Sequence, residues 1–202
     1  MTDAPLDAYA RDRVPEVLER PGVSRATWWR NVNRDRTDLP RVLPEFDHLG
    51  VYEVDPTFAR PAPADGIAGY HFIRTPRPGQ GVITGRTTIG LSLVLISPEE
   101  APRAQELRDW ADFVHIRHIA EVGVPGYCMI TPYENALGGD PRFMHFYEMD
   151  TDEPEAAFKS MTPLVMERIG PYTSEAFKRW AFGPSLRIMY VNSILRVGER
   201  SR

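Results

Sequence analysis

The sequence predicts an α+β fold made of two related units. Three observations carry that prediction: an internal repeat, helices that alternate with pairs of strands, and a composition able to fill a core. With 202 residues, 42% of them hydrophobic and 26% charged, the chain is long enough for one large domain or two small ones.

The repeat comes first, because a missed repeat misreads the fold. "PGVSRATWWRNVN" (21–33) aligns with "PGYCMITPYENAL" (125–137) through Pro21/Pro125, Gly22/Gly126, Thr27/Thr131 and Asn31/Asn135. "HLGVYEVD" (48–55) aligns with "FMHFYEMD" (143–150) through Tyr52/Tyr147, Glu53/Glu148 and Asp55/Asp150, and His145 stands where the first copy has Gly50. Each Pro-Gly follows an amphipathic helical stretch, "LDAYARDRVPEVLER" and "EEAPRAQELRDWADFVHIRHIAEV". In the second, Ser97 reads as an N-cap with Pro98 at the first helical position. On a regular helix Trp110, Phe113, Val114, His118 and Glu121 share one face, and Asp109 and Asp112 point elsewhere.

The second copy is the more complete. A strand "TIGLSLVLIS" leads into a helix over about 98–122, two strands "GYCMITPYEN" and "RFMHFYEMD", a helix from Pro154 to about Ile169, and a last strand "LRIMYVNSIL". That β-α-β-β-α-β order is the ferredoxin-like plan. The first copy lacks a leading strand. Its second helix is replaced by "PTFARPAPADGIAG", whose prolines and glycines oppose a helix. The expected domains are therefore 1–88, a degenerate repeat with an irregular connection carrying one strand near "YHFIRT", and 89–202, a complete repeat.

A helix running into Pro-Gly, then two strands ending in "YE.D", resembles the dimeric α+β barrel superfamily. "RVPEVLERPGVSRATWW" is most similar to its EthD-like branch. The resemblance covers residues 5–55 and 89–197. It implies two ferredoxin-like units pairing their sheets into one barrel, here from a single chain. Its members include cofactor-free monooxygenases, cyclases, lactone isomerases, haem enzymes and stress proteins, so the fold leaves the reaction open.

Composition narrows the field. A net charge of −4 and no Lys/Arg block argue against nucleic acid as a partner. A lone cysteine, Cys128, in an apolar run fits a reducing cytoplasm. No window has the length and hydropathy of a membrane span or signal core. "PRPGQG" lacks the strand-to-helix setting and lysine of a phosphate loop.

Candidate chemistry centres on histidines. His115, His118 and Glu121 form a slanting row one helical turn apart. Two imidazoles and a carboxylate suit a metal, yet three ligands from one helix span too much axial distance to converge, so no metal or cofactor is expected. His118, on the apolar face, is the leading acid or base, with His115 and His145 as alternatives. Strand alternation groups Tyr127, Met129, Thr131 and Tyr133, and likewise Phe143, His145, Tyr147 and Met149. Tyr127, Met129, Tyr133 and Tyr147, with Trp28 and Trp29 from "TWWRN", are the expected contacts for a hydrophobic small molecule. "NRDRTDLPRVLPEFD" reads as a solvent loop long enough for a lid. The expected function is a cofactor-independent cyclase, isomerase, dehydratase or monooxygenase acting on an aromatic molecule. A non-catalytic ligand-binding or stress protein and a haem or metal enzyme are the alternatives. A homodimer is expected from the exposed aromatics.

Overall fold

The structure, a computed structural model, describes residues 1–202 except 4, 61 and 63–65. The strands are β1 (Val23–Asn31), β2 (His48–Val54), β3 (Phe72–Arg74), β4 (Gln80–Gly81), β5 (Gly90–Pro98), β6 (Tyr127–Asn135), β7 (Phe143–Met149) and β8 (Leu186–Ser201). They form one antiparallel sheet in the order β2-β1-β8-β5-β7-β6-β3, with β4 also on β6. Within 90–201 the four strands neighbour one another as β8-β5-β7-β6. The middle strand β5, "GLSLVLISP", is buried almost throughout, as expected for an apolar run covered on both faces.

Helices cover the outer face: α1 (residues 6–18), α2 (residues 101–122), α3 (Pro154–Ile169) and α4 (Glu175–Ala181). Ile116 and Ile119 of α2 and Val165 of α3 pack there against Tyr147 and Met149 of β7. Leu91, Leu93 and Leu95 of β5 point to the other, concave face, with Met144, Tyr190, Ile194 and Trp29. The curled sheet is thus a half-barrel with an apolar inner wall. Met1 and Thr2 extend its rim: Thr2 bridges to His48, and Met1 exchanges backbone hydrogen bonds with Ala68. Four residues further on, β3 joins β6 on the opposite edge.

Three local readings need correction. Strand β5 runs through Pro98 and α2 starts only at Ala101, so Ser97 is not an N-cap; its Oγ accepts a hydrogen bond from the Arg142 amide instead. Helix α2 contains a π-turn at Ala111–His115, whose extra residue rotates the face: Asp112 is buried and Phe113 is exposed. A bulge between Tyr127 and Met129 splits the expected tyrosine row, as such insertions do. Met129, Thr131 and Tyr133 stay concave. Tyr127 turns to the helix face, where Phe143, His145, Tyr147 and Met149 also lie.

Within 56–88 the described residues hold no helix and two short strands, β3 and β4, where the sequence reading expected one. Residues 61 and 63–65 of "PTFARPAPADGIAG" lie outside the described residues. The loop between β1 and β2 is less solvated than its charge implies. The Arg36 side chain is fully buried, ion-paired to Glu155 of α3 and stacked 4.6 Å from the Phe158 ring, and its Nε donates to Asn192 of β8 at 3.3 Å. Among the described residues no helix is long and apolar enough to cross a membrane.

Candidate active site

The concave wall opens onto a cavity of about 660 Å³, inside the size range of small-molecule sites. Leu93 and Leu95 of β5, Met144 and Phe146 of β7, and Phe72 of β3 supply its apolar lining. Alternation along each strand points these side chains the same way, which is why the sequence builds one wall from several strands. Tyr133 of β6 and Tyr70 also line it. Tyr133 packs against Phe146 with ring centroids 5.4 Å apart, and Tyr70 lies 6.1 Å from Phe72. Burial raises the pKa of both phenols, so at neutral pH they are hydrogen-bond donors.

The cavity continues past the edge of β2 to the helix side, where Tyr9 and Arg13 of α1 and Tyr52 of β2 line it. The Tyr9 and Tyr52 hydroxyls are 2.5 Å apart. Desolvation pushes both pKa values up, and the nearby Arg13 charge acts the other way. Gly50 makes the arrangement possible: a Cβ there would stand 1.7 Å from the Tyr9 hydroxyl. Among the described lining residues Arg13, Arg20, Arg60 and Arg74 outnumber Glu53 and Asp55. An acidic chain therefore turns a positive excess toward this cavity, which favours an electron-rich or anionic guest. His71 is the imidazole among its lining residues.

Compared with solved structures, the chain is similar to a crystal structure described as an anthrone oxidase-like protein. The two are 15% identical, the match covers 99% of this chain and 90% of that one, and the TM-score is 0.52. The chain has a mixed, barrel-like α+β fold with one curled antiparallel sheet. No family model matches the sequence, and no curated protein matches it.

The aromatic residues and Met129 expected from sequence fall in three places. Tyr133 lines the cavity. Trp29 and Met129 lie on the concave side: Trp29 is a buried part of the wall, its Nε1 donating to Thr27 at 3.0 Å, and Met129 packs on Gly79. Trp28, Tyr127 and Tyr147 lie on the helix side, Trp28 over Gly198 and the two tyrosines edge to face at 6.0 Å.

The three histidines are also outside the cavity lining, close enough for His145 and His118 to act electrostatically on His115 but each with different partners. His115 sits between Trp110 and Trp180, stacked on the latter at 4.9 Å. Its Nδ1 lies 3.0 Å from the Trp180 carbonyl. A carbonyl only accepts, so Nδ1 carries the proton. Burial lowers its pKa to about 4. His118 lies 3.8 Å from Glu121, whose carboxylate is already held by Arg117 and Arg168 at 2.8 Å each. His145 is buried 3.6 Å from Asp112, which Arg77 contacts at 3.1 Å. His115, His118 and Glu121 therefore do not converge.

Sequence reasoning missed Tyr9, Tyr70, His71 and the arginine rim. The available sequence signal was Gly50 itself, the position where the aligned segments differ, since the structure sets the Tyr9 hydroxyl in the space it leaves.

Proposed function

We propose that this barrel is a cofactor-independent oxidase or monooxygenase that holds a flat, hydrophobic aromatic molecule in the cavity behind β2 and β3. The observation that carries the reading is the cavity itself: an apolar wall of Leu93, Leu95, Met144 and Phe146, with Tyr133 and Tyr70 among its lining. The similar structure described as anthrone oxidase-like supports the substrate class.

An anthrone illustrates the chemistry. Its ring methylene is acidified by the ketone, and loss of one proton gives an electron-rich anion able to reduce dioxygen directly. One anthrone and one O2 yield one anthraquinone and one water, so the methylene becomes a carbonyl and no other oxidant is needed. The protein's tasks are to exclude water, to orient the rings, to accept the proton and to stabilise the oxyanion. In this reading Tyr133 donates to a substrate oxygen and His71 accepts the proton. The tandem arrangement, two ferredoxin-like units with the first incomplete, is part of the same proposal. What supports it is the strand order β8-β5-β7-β6 in the second half and the helix-strand-strand succession of the first.

The test is oxygen uptake with anthrone as the probe. Anthraquinone formed with equimolar O2 consumption, abolished by His71→Gln, is the expected result. Tight anthrone binding without turnover would instead make this a ligand-binding barrel, and absence of binding would remove the reading altogether.

A further inference from the structure

The Tyr9–Tyr52 contact contains more hydrogen-bonding capacity than it uses. Each phenol has one proton. At 2.5 Å one hydroxyl donates to the other, and among the described residues no acceptor takes the remaining proton. Both tyrosines line the cavity, and Tyr9 is buried to 9% exposure. A phenol that is itself accepting a hydrogen bond is a stronger donor through its own O–H.

Three further features show that the pair is built into the fold. Tyr9 opens the π-turn that Arg13 closes, and such turns recur at functional sites. That turn carries the phenol and a guanidinium to the same part of the cavity. Gly50 leaves the space that the Tyr9 hydroxyl occupies. In the second half of the chain His145 stands at the position aligned with Gly50, and Tyr147 meets Tyr127 ring edge to ring face at 6.0 Å.

We propose that the Tyr9–Tyr52 hydroxyl pair is the oxygen-binding end of the cavity, donating its unspent proton to a phenolate or enolate oxygen of an aromatic ligand, with Arg13 beside it. This rests on the reading that the cavity holds an aromatic molecule, and it identifies the group by which that molecule is oriented. Tyr9 and Tyr52 act here as binding residues; no proton leaves either of them.

Two probes of nearly equal shape test it: 2-naphthol, which carries the oxygen, and 2-methylnaphthalene, which replaces it with a methyl group. Binding to the full-length protein is followed by naphthalene fluorescence. The wild type is expected to prefer 2-naphthol by roughly threefold to tenfold, the usual gain from a hydrogen bond to a neutral hydroxyl oxygen. Tyr9→Phe and Tyr52→Phe, made separately, are expected to abolish the preference while leaving 2-methylnaphthalene affinity unchanged. Gly50→Ala, which keeps both hydroxyls but displaces Tyr9, is expected to do the same. Thermal melts of each variant confirm the fold, and either phenylalanine variant suffices if the other is unstable. Binding of both probes with equal affinity overturns this proposal and leaves the aromatic-cavity reading intact. A preference that survives in both phenylalanine variants also overturns it. Binding of neither probe removes the cavity reading, and this one with it.

Discussion

Lowering the pH should destabilise the protein through His115, by an amount that the indole clamp sets. Its imidazole lies between Trp110 and Trp180 with centroids 5.0 and 4.9 Å away, and its one proton is already donated to the Trp180 carbonyl. Nothing in that clamp accepts a second proton, so burial takes the pKa from 6.5 down to about 4. The unfolded chain then binds a proton that the folded chain refuses. This site's contribution is fully present above the unfolded value and is lost as the pH falls from 6.5 toward 4. The full separation is worth roughly 3 kcal/mol, of which about 2 kcal/mol is lost between pH 7 and pH 5. The comparison is urea unfolding across that range for the wild type and for His115→Gln, which keeps an uncharged N–H donor. Intrinsic tryptophan fluorescence reports the transition, since Trp110 and Trp180 form the clamp. Carboxylates titrate equally in both proteins, so the difference in slope isolates this site. Parallel pH curves for the two proteins would refute the argument.

Two further outcomes follow from the same packing. Gly183→Ala should lower stability by about 1–3 kcal/mol, because the new Cβ would lie 2.4 Å from the Trp110 ring, which a hydrogen bond to the Arg179 carbonyl keeps from swinging away; thermal unfolding measures it. Arg36→Met should cost about 3 kcal/mol, the low end for stripping one partner from a buried pair, since Glu155 keeps Asn33 and Lys159 as partners. The Arg36→Met, Glu155→Leu double variant should recover most of that loss in denaturant titrations, and failure to recover would mean that the pair itself is not what holds the loop.

Much of the fold was legible because burial imposes its own periods. "GLSLVLIS" has the unbroken apolar run of a strand covered twice, and it became β5, the strand between β8 and β7. The helix from Pro154 to Ile169 has the expected bounds. The misread faces share one physical cause: a single inserted residue changes the phase of everything beyond it. The π-turn at Ala111–His115 buries Asp112 and exposes Phe113, and the bulge at Cys128 sends Tyr127 to the helix side while Tyr133 stays on the cavity side. Neither insertion leaves a mark in hydropathy, because both are decided by contacts with strands distant in sequence.

The candidate site shows the same limit from the other direction. In the aligned segments Gly50 stands against His145, and only His145 carries side-chain chemistry. The structure shows that the histidine fills space beside Asp112, whereas the glycine creates it. A cavity can form where a strand omits a side chain, since the wall has to open before it can hold anything. The residues that use such an opening come from elsewhere in the chain. Tyr9 precedes Gly50 by two elements of secondary structure, and only the packing of α1 against β2 brings its hydroxyl to Tyr52. A missing Cβ at one position is therefore as informative as an imidazole at another, provided that the neighbours able to fill the gap are sought across the whole sheet.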